Sequence, residues 1–141
     1  MFIGGQVLNS LVLNDVVGGP HYATWVEVQV KTIETRMRSF SYRGDIVICC
    51  GNKSKSRNAG LALCIVDLFD VRKMTDDDVA AACIDNAPKR MAHLLRNWRY
   101  FNRKFLFTNC YVSGSYLSIF KIRIPDDIVL LHSKPELPQI G

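Results

Sequence analysis

Two apolar runs near the middle of the chain constrain the fold most. Residues 45–50 read DIVICC and residues 61–71 read LALCIVDLFDV, and both are rich in the β-branched and apolar residues that strands favour. A short apolar run bounded by turn residues is typical of a buried strand. The polar, glycine-bounded stretch GNKSKSRNAG between them indicates a loop. We therefore expect a fold built on buried strands.

The remaining segments predict more strands than helices. Strand patterns also occupy residues 6–13, 31–37 and 114–124, whereas residues 74–84 and 87–98 predict short helices. Residues 21–30 fit either element, because VEVQV alternates while Pro20 suits the first turn of a helix. The count is five or six strands and two or three short helices without regular alternation. This pattern favours an α+β fold, a small mixed β-barrel with flanking helices, over a doubly wound parallel sheet.

The chain length and composition indicate one folded domain. The sequence has 141 residues, 48% of them hydrophobic and 22% charged, which is enough to bury a core. No repeat or linker divides it, so residues 1–141 are interpreted as a single domain. Residues 133–141 are expected to form a coil tail because Pro135 and Pro138 interrupt both regular elements. The sequence carries no signal for an oligomeric state.

Basic residues are concentrated in two parts of the chain. The net charge is +5, residues 87–125 contain no acidic residue, and residues 31–57 hold seven Lys/Arg against two acids. Such segregation predicts a positive face for an anionic partner. The first candidate contacts for a phosphate backbone lie in the loop after DIVICC. The second group interleaves cations with aromatic rings in RNWRYFNRKF, a pattern typical of single-stranded nucleic acid binding. Together these candidates are Lys53, Lys55, Arg57, Trp98, Arg99, Arg103 and Lys104.

Several functional classes find no support in the sequence. Five cysteines without a CxxC pair and three scattered histidines predict neither a disulfide framework nor a metal site, and we expect no cofactor. The G-x-x-x-x-G-K-[ST] loop of nucleotide-binding proteins and the G-x-S-x-G turn of hydrolases are both absent. The first basic residue is Lys31, so the N-terminal apolar stretch lacks the basic start of a signal peptide. We expect a cytoplasmic protein without a membrane segment.

A motif in the first third of the chain resembles a known family. The pattern Y-x-x-W-(x5)-K-T-I-E-T-R, followed by Y-R-G-D-I-V-I, starts at Tyr22 and resembles the signature of the ASCH family, which has a PUA-like fold. The similarity extends over residues 8–124. It implies a helix at residues 21–27 and a barrel with a cleft near Lys31 and Glu34. It also implies a tie to RNA, through binding, recognition of modified nucleotides or, in some small members, hydrolysis.

One branch of that family resembles amidohydrolases that remove an acyl group from a modified cytidine nucleoside. Their motif reads K-T-x-T-x-R, whereas Glu34 occupies the second threonine position here. The branch also implies a later catalytic glutamate, but no glutamate lies between Glu34 and Glu136. The four candidates to replace it are Asp76, Asp77, Asp78 and Asp85. Direct transfer of the deacylase activity is therefore disfavoured.

The motif residues themselves offer binding and acid–base chemistry. Lys31 could bind a phosphate or act as a base if burial lowers its pKa, and Glu34 could partner it. Strict strand alternation places these two side chains on opposite faces, so a bulge or turn would have to bring them together. Arg36 could contact a phosphate or base edge, and Arg43 could line the same cleft from a turn.

The first hypothesis is therefore an ASCH domain that binds RNA or a nucleotide-like ligand in a basic cleft. The alternative is a hydrolase on the same fold, acting on an acylated cytidine-type nucleoside or on RNA, with Lys31 and Glu34 as catalytic residues. A second alternative is a protein-interaction module that presents its basic face to an acidic partner.

Overall fold

A computed structural model describes residues 1–54 and 56–137. Strand β1 spans Val7–Leu13 and helix α1 spans Tyr22–Glu27. Strands β2, β3 and β4 span Ile33–Arg36, Gly44–Cys50 and Leu61–Lys73. A 3-10 turn at Asp76–Asp78 leads into helix α2, Val79–Ala82. Strand β5 spans Met91–Leu106, a second 3-10 turn spans Phe107–Cys110, and strands β6 and β7 span Tyr111–Ser113 and Phe120–Arg123.

The strands form one mixed sheet with the order β2-β5-β4-β3-β1-β7-β6. Strands β1 and β3 run parallel, and the other neighbours run antiparallel. Within the described residues, the edge strands β2 and β6 do not pair with each other, so the sheet does not close. The prediction of a small β-rich α+β fold is confirmed. The finer prediction of a closed barrel with five or six strands is wrong, because seven strands form an open sheet.

The sheet is buried on both faces along its central strands. Ile46, Ile48 and Cys50 of β3 contribute to one apolar cluster with α1, and Val47 and Cys49 contribute to another with β7. All five side chains are at most 1% exposed. A strand covered on both faces has no polar face to present, which explains the uninterrupted apolar run that predicted it.

Most predicted elements are confirmed by the structure. The four strand patterns at residues 6–13, 31–37, 45–50 and 61–71 correspond to β1–β4, and residues 21–27 contain α1. The predicted helix at residues 74–84 is a 3-10 turn followed by one turn of α-helix, and Thr75 and Asp78 form its capping box. No helix in the described parts of the chain combines the length and the apolar character needed to cross a membrane.

Two predicted elements are wrong in whole or in part. Residues 91–98 of the predicted helix belong to β5, the longest strand. Only Phe120–Arg123 of the predicted strand at residues 114–124 pairs, as β7. The chain turns before β7 at Gly114, whose φ of 99° is left-handed and whose added Cβ would lie 2.9 Å from Phe120 Cα. Residues 132–137 contain no helix or strand. The coil prediction for residues 138–141 and the position of Lys55 lie outside the described residues.

Candidate functional site

A cleft of about 400 Å³ opens between the start of β2, the end of β1 and the β6–β7 loop. Its polar wall comes from the K-T-I-E-T-R motif, and its apolar rim comes mainly from β1, from Ile84 two residues after the end of α2 and from the β6–β7 loop. The lining residues are Val12, Leu13, Asn14, Val16, Tyr22, Lys31, Glu34, Thr35, Arg36, Ile84, Arg90, Tyr116 and Leu117. The K-T-I-E-T-R motif thus contributes Lys31, Glu34, Thr35 and Arg36 to the lining of this cleft.

Lys31 and Glu34 meet in this cleft because Lys31 precedes the strand. The backbone N–H groups of Val30 and Lys31 both donate to Trp25 O at the end of α1, at 2.9 and 3.0 Å. Pairing of β2 with β5 begins only at Ile33, so the strict alternation of a strand does not apply to Lys31. The result is a distance of 3.6 Å between Lys31 Nζ and Glu34 Oε1. The bulge or turn that the sequence analysis required to bring Lys31 and Glu34 together is thus the turn at the end of α1.

Lys31 is almost fully buried, with a side chain only 1% exposed. Its Nζ donates to Ala82 O at the end of α2 and lies 5.2 Å from the centre of the Tyr22 ring. Burial lowers the pKa of Lys31 because it disfavours the charged ammonium, and the carboxylate of Glu34 opposes that shift. Lys31 therefore releases its proton more readily than an exposed lysine does.

Glu34 is held between two cations. Its Oε2 accepts a hydrogen bond from Arg36 Nε at 2.9 Å, and its Oε1 faces Lys31. Arg36 also donates from Nη2 to Val12 O at 3.1 Å, and its guanidinium lies 5.7 Å from the Phe40 ring centre. These contacts fix the carboxylate and the guanidinium in one orientation. A ligand would meet a preorganised row of charges in the order ammonium, carboxylate, guanidinium.

Arg90 is a cleft residue that the sequence analysis did not select. Its Nη1 donates to Thr35 Oγ1 at 3.3 Å, while its buried Nε has no hydrogen-bond partner among the described residues. A buried guanidinium N–H without a partner is costly, so the position suits a ligand acceptor. Arg90 was missed because residues 87–98 were interpreted as a helix. The correct strand register places β5 directly beside β2 and so brings Arg90 to Thr35.

His93 is buried next to the cleft and bonds the backbone on both sides of Arg36. It is 1% exposed, its Nε2 accepts from Phe40 N–H at 3.1 Å, and its Nδ1 therefore carries the proton that is donated to Glu34 O at 3.2 Å. Burial lowers the pKa of His93, which favours this neutral ring. The imidazole thereby ties the backbone of Glu34 to the loop that follows β2.

The structure does not bring the other predicted contacts into this cleft. Three cations of the RNWRYFNRKF segment already face carboxylates. Arg99 pairs with Asp45 at 2.6 Å, Arg103 pairs with Asp127 at 2.6 Å, and Lys104 Nζ lies 2.6 Å from Glu27 Oε2. Much of the positive surface expected from this segment is therefore neutralised, and its role as a face for RNA or for an acidic protein stays a prediction.

The remaining candidates have local roles or lie apart. Trp98 is half-buried and donates from Nε1 to Val26 O at 2.7 Å. Arg43 donates to the carbonyl oxygens of the turn that it belongs to, at 2.7 and 2.9 Å. Lys53 and Arg57 are exposed on the loop between β3 and β4, and neither lines the cleft. Their part in binding stays a prediction.

None of the acids considered as a later catalytic residue lines the cleft. Asp78 forms a bidentate pair with Arg72 at 2.6 and 2.7 Å, and Asp76 accepts from Asn86. Among the described lining residues, Glu34 is the sole carboxylate. No cluster of His, Cys, Asp and Glu in the described parts of the chain could hold a metal ion. The charged side chains among the described lining residues are those of Lys31, Glu34, Arg36 and Arg90.

Comparison with known proteins supports the fold. No protein-family model matches the chain, and no curated protein matches it. The structure is similar to the crystal structure of a mutant ZmASCH protein from Zymomonas mobilis. The TM-score is 0.53 and the sequence identity is 13%, with 88% of this chain and 89% of that chain covered. The ASCH fold that the motif predicted is thereby confirmed, and at this identity the likeness concerns the fold alone.

Proposed function

We propose that this chain, whose fold is that of an ASCH domain, binds RNA or a nucleotide-like ligand in the cleft around its K-T-I-E-T-R motif. The observation that carries the proposal is that Lys31, Arg36 and Arg90 line one cleft whose single carboxylate, that of Glu34, pairs with the first two. Three cations against one anion leave an excess of positive charge at the base of a concave site. Such a site favours a ligand that carries a phosphate or several carbonyl acceptors.

The dimensions of the cleft favour one nucleotide unit. Its volume of about 400 Å³ lies within the range that holds small ligands. A double helix could not enter it, whereas an unstacked base with its ribose could. Tyr22 and Tyr116 line the cleft and offer aromatic faces, and Asn14 offers an amide for a base edge. Recognition of a single splayed nucleotide is therefore the form of binding that we expect.

The ion pairs elsewhere on the molecule predict a modest dependence on salt. Arg99, Arg103 and Lys104 each face a carboxylate, so they release few counterions when a strand approaches. A ligand held mainly by the cleft contacts one or two phosphates. We expect the slope of log K against log salt concentration to be about −0.7 to −1.4, since each neutralised phosphate of a single strand contributes about −0.7.

Fluorescence anisotropy with a short labelled single-stranded RNA tests the proposal. Arg36→Gln and Arg90→Gln remove a cleft cation each and are expected to weaken binding about tenfold, which corresponds to one charge-assisted hydrogen bond. Arg123→Gln is the matched control, because Arg123 is exposed, donates only to Gly5 O in the described structure and does not line the cleft. Equal weakening in all three variants, or no binding by the parent at low salt, would contradict the proposal.

A hydrolase acting on an acylated nucleoside is the second candidate, and the burial of Lys31 favours it. An open groove would leave Lys31 hydrated, whereas here burial lowers its pKa beside a carboxylate 3.6 Å away. In such a reaction Glu34 would take a proton from an attacking water, and the carbonyl carbon would pass through a tetrahedral oxyanion held by the Lys31 ammonium. Lys31 would then protonate the departing amine as the C–N bond breaks and the carboxylic acid is released, and Glu34 would pass the proton it took from water to the neutral Lys31 amine.

Chromatography of an acylated cytidine nucleoside after incubation with the protein tests this second candidate. Release of the free amine by the parent, loss of turnover in Glu34→Gln and retained binding in that variant are the expected results. The length of the RNA recovered from the anisotropy experiment is also measured, and intact RNA would exclude RNA cleavage. If the protein binds RNA but the acylated nucleoside is unchanged after prolonged incubation, the deacylase hypothesis is rejected and the binding hypothesis is retained.

A further inference from the structure

We propose that a second hollow beside the cleft is a subsite for the next nucleotide of a single-stranded RNA. The inference rests on the proposed function and specifies its ligand as a strand rather than a free nucleoside. This hollow measures about 620 Å³ and is lined by residues 38–42 of the loop after β2 and residues 117–119 of the β6–β7 loop. Neither the motif nor the ion pairs described above assign a role to it.

The two hollows share a wall. Leu117 lines both of them. Arg36, which lines the cleft, also lies over the ring of Phe40, which lines the second hollow, at 5.7 Å from the ring centre. A ligand that leaves the cleft past Leu117 therefore enters the second hollow directly. Adjacent sites separated by one side chain fit consecutive units of a polymer.

The second hollow has the polar groups that a phosphodiester requires. Arg38 is exposed, and no carboxylate in the described residues pairs with it. The hydroxyls of Ser39, Ser41 and Ser118 line the same hollow, and no acidic residue does. A cation with several hydroxyl donors is a common combination at nucleic-acid backbones. Arg38 thus differs from Arg99 and Arg103, whose charges are already balanced.

The loop that forms the second hollow is held in place. Phe40 N–H donates to His93 at 3.1 Å, Arg43 donates to Phe40 O at 2.7 Å, and the Tyr42 hydroxyl donates to Asp45 O at 2.9 Å. These bonds fix the loop to the rest of the fold, so binding need not order it, and the associated entropy cost is avoided. The same His93 ring contacts the backbone of Glu34, so one side chain positions both subsites.

Leu117 supplies an apolar surface on the ridge between the hollows. It is 88% exposed, although its neighbour Tyr116 packs against Phe107, Phe120 and Tyr111 through ring contacts. The aromatic cluster therefore anchors the turn that displays Leu117 to solvent. A base that bridges the subsites would cover this side chain, and the apolar area removed from water would favour the longer ligand.

Calorimetric titration with ribomononucleotides and the corresponding ribodinucleotides tests the second subsite. A mononucleotide can fill only the cleft, whereas a dinucleotide can reach Arg38. We expect the dinucleotide to bind about tenfold more tightly, in line with one additional charge-assisted phosphate contact and partial burial of Leu117. Arg38→Gln should remove most of that gain while leaving mononucleotide affinity unchanged, and Leu117→Ser should reduce it. Arg123→Gln is the control of equal charge.

The outcomes separate this inference from the function on which it rests. Equal affinity for mono- and dinucleotides, with Arg36→Gln still weakening both, would overturn the second subsite and retain the cleft. No binding of either ligand would reject the proposed function itself. A gain for the dinucleotide that survives in Arg38→Gln would also overturn the assignment, because the gain would then come from another surface. Circular dichroism of Arg38→Gln confirms folding, which is expected because the side chain is exposed.

Discussion

Lys104, which the sequence predicts as an RNA contact, instead pairs with buried Glu27, and the effect of removing this pair tests whether Lys104 stabilises the fold. Lys104 Nζ lies 2.6 Å from Glu27 Oε2 and donates to Asn58 Oδ1 at 2.8 Å. Asn58 in turn donates from Nδ2 to Glu27 Oε1 at 3.0 Å. Glu27 is 1% exposed, so Lys104→Met would leave a buried carboxylate without a cation. We expect this variant to destabilise the fold rather than to weaken a surface contact.

The expected magnitude follows from the burial of the pair. Removing one partner of a buried ion pair typically costs about 3–5 kcal/mol. The Lys104 side chain is 32% exposed, so solvent screens part of the interaction and about 2–3 kcal/mol is expected. With a urea m-value of about 2 kcal/mol/M, the unfolding midpoint should fall by about 1–1.5 M. The melting temperature should fall by about 6–9 °C.

Urea denaturation followed by circular dichroism measures this loss of stability. The double variant Glu27→Gln/Lys104→Met removes both charges and should recover to within about 1 kcal/mol of the parent, because a buried pair can be replaced by neutral groups at small cost. Lys121→Met is the control, since Lys121 is exposed on β7. A midpoint shift below about 0.3 M in Lys104→Met, together with weaker RNA binding, would refute the structural role and restore Lys104 as an RNA contact.

Three further variants test the supports of the fold and of the cleft. Because burial lowers the pKa of His93, the folded state resists protonation, so the stability that its neutral ring provides is complete above about pH 6.5 and is lost as the pH falls below that value. Urea midpoints measured between about pH 7 and 5 should show this loss in the parent and less of it in His93→Gln, which keeps a donor and an acceptor. The pKa of Asp78 is lowered to about 2 by Arg72 and by the N–H of Thr75, so its contribution is complete above about pH 4 and is lost towards pH 2. Asp78→Asn should therefore cost about 1 kcal/mol at pH 7 in a thermal melt and clearly less at pH 2, where about half of the Asp78 carboxyl is protonated in the folded state. Gly4→Ala should cost about 2 kcal/mol or more, because the added Cβ would overlap the backbone of Asp126; a stability equal to that of the parent would show that this segment can shift freely.

The sequence predicts the strands that carry the motif and the central sheet better than it predicts strand β5. The apolar runs and the K-T-I-E-T-R motif are local signals. The apolar runs form β3 and β4, and the motif residues line the cleft. Whether Lys31 meets Glu34 depends on the chain path between α1 and β2. That path is fixed by two hydrogen bonds to Trp25 O and by the positive φ of Gln29, 67°, which no spacing rule in the sequence reveals.

The sequence predicts a helix for residues 91–98 of strand β5 because the regular pattern of the strand is interrupted. Its pairing with β4 shifts register at three points, and Asn97 has a left-handed φ of 56°. Two of these shifts fall opposite residues 94–99 and disturb the side-chain alternation, so the buried positions of residues 91–98 do not follow a period of two. Met91, Leu94, Leu95 and Trp98 consequently fall at helical spacing. An irregular long strand thus mimics an amphipathic helix when only the sequence is read.

The linear segregation of charge also misleads, because the sheet brings distant segments together. No acidic residue occurs within residues 87–125, yet Arg96, Arg99 and Arg103 each meet a carboxylate from another part of the chain. Asp67 belongs to β4 and Asp45 to β3, so pairing β5 with β4 places acids beside the basic strand. The cations without a carboxylate partner are then the informative ones. Among them Arg38 and Arg90 lie at the second hollow and at the cleft, which is why variants of these two arginines, rather than of the basic segment as a whole, test the proposed nucleotide site against a merely basic surface.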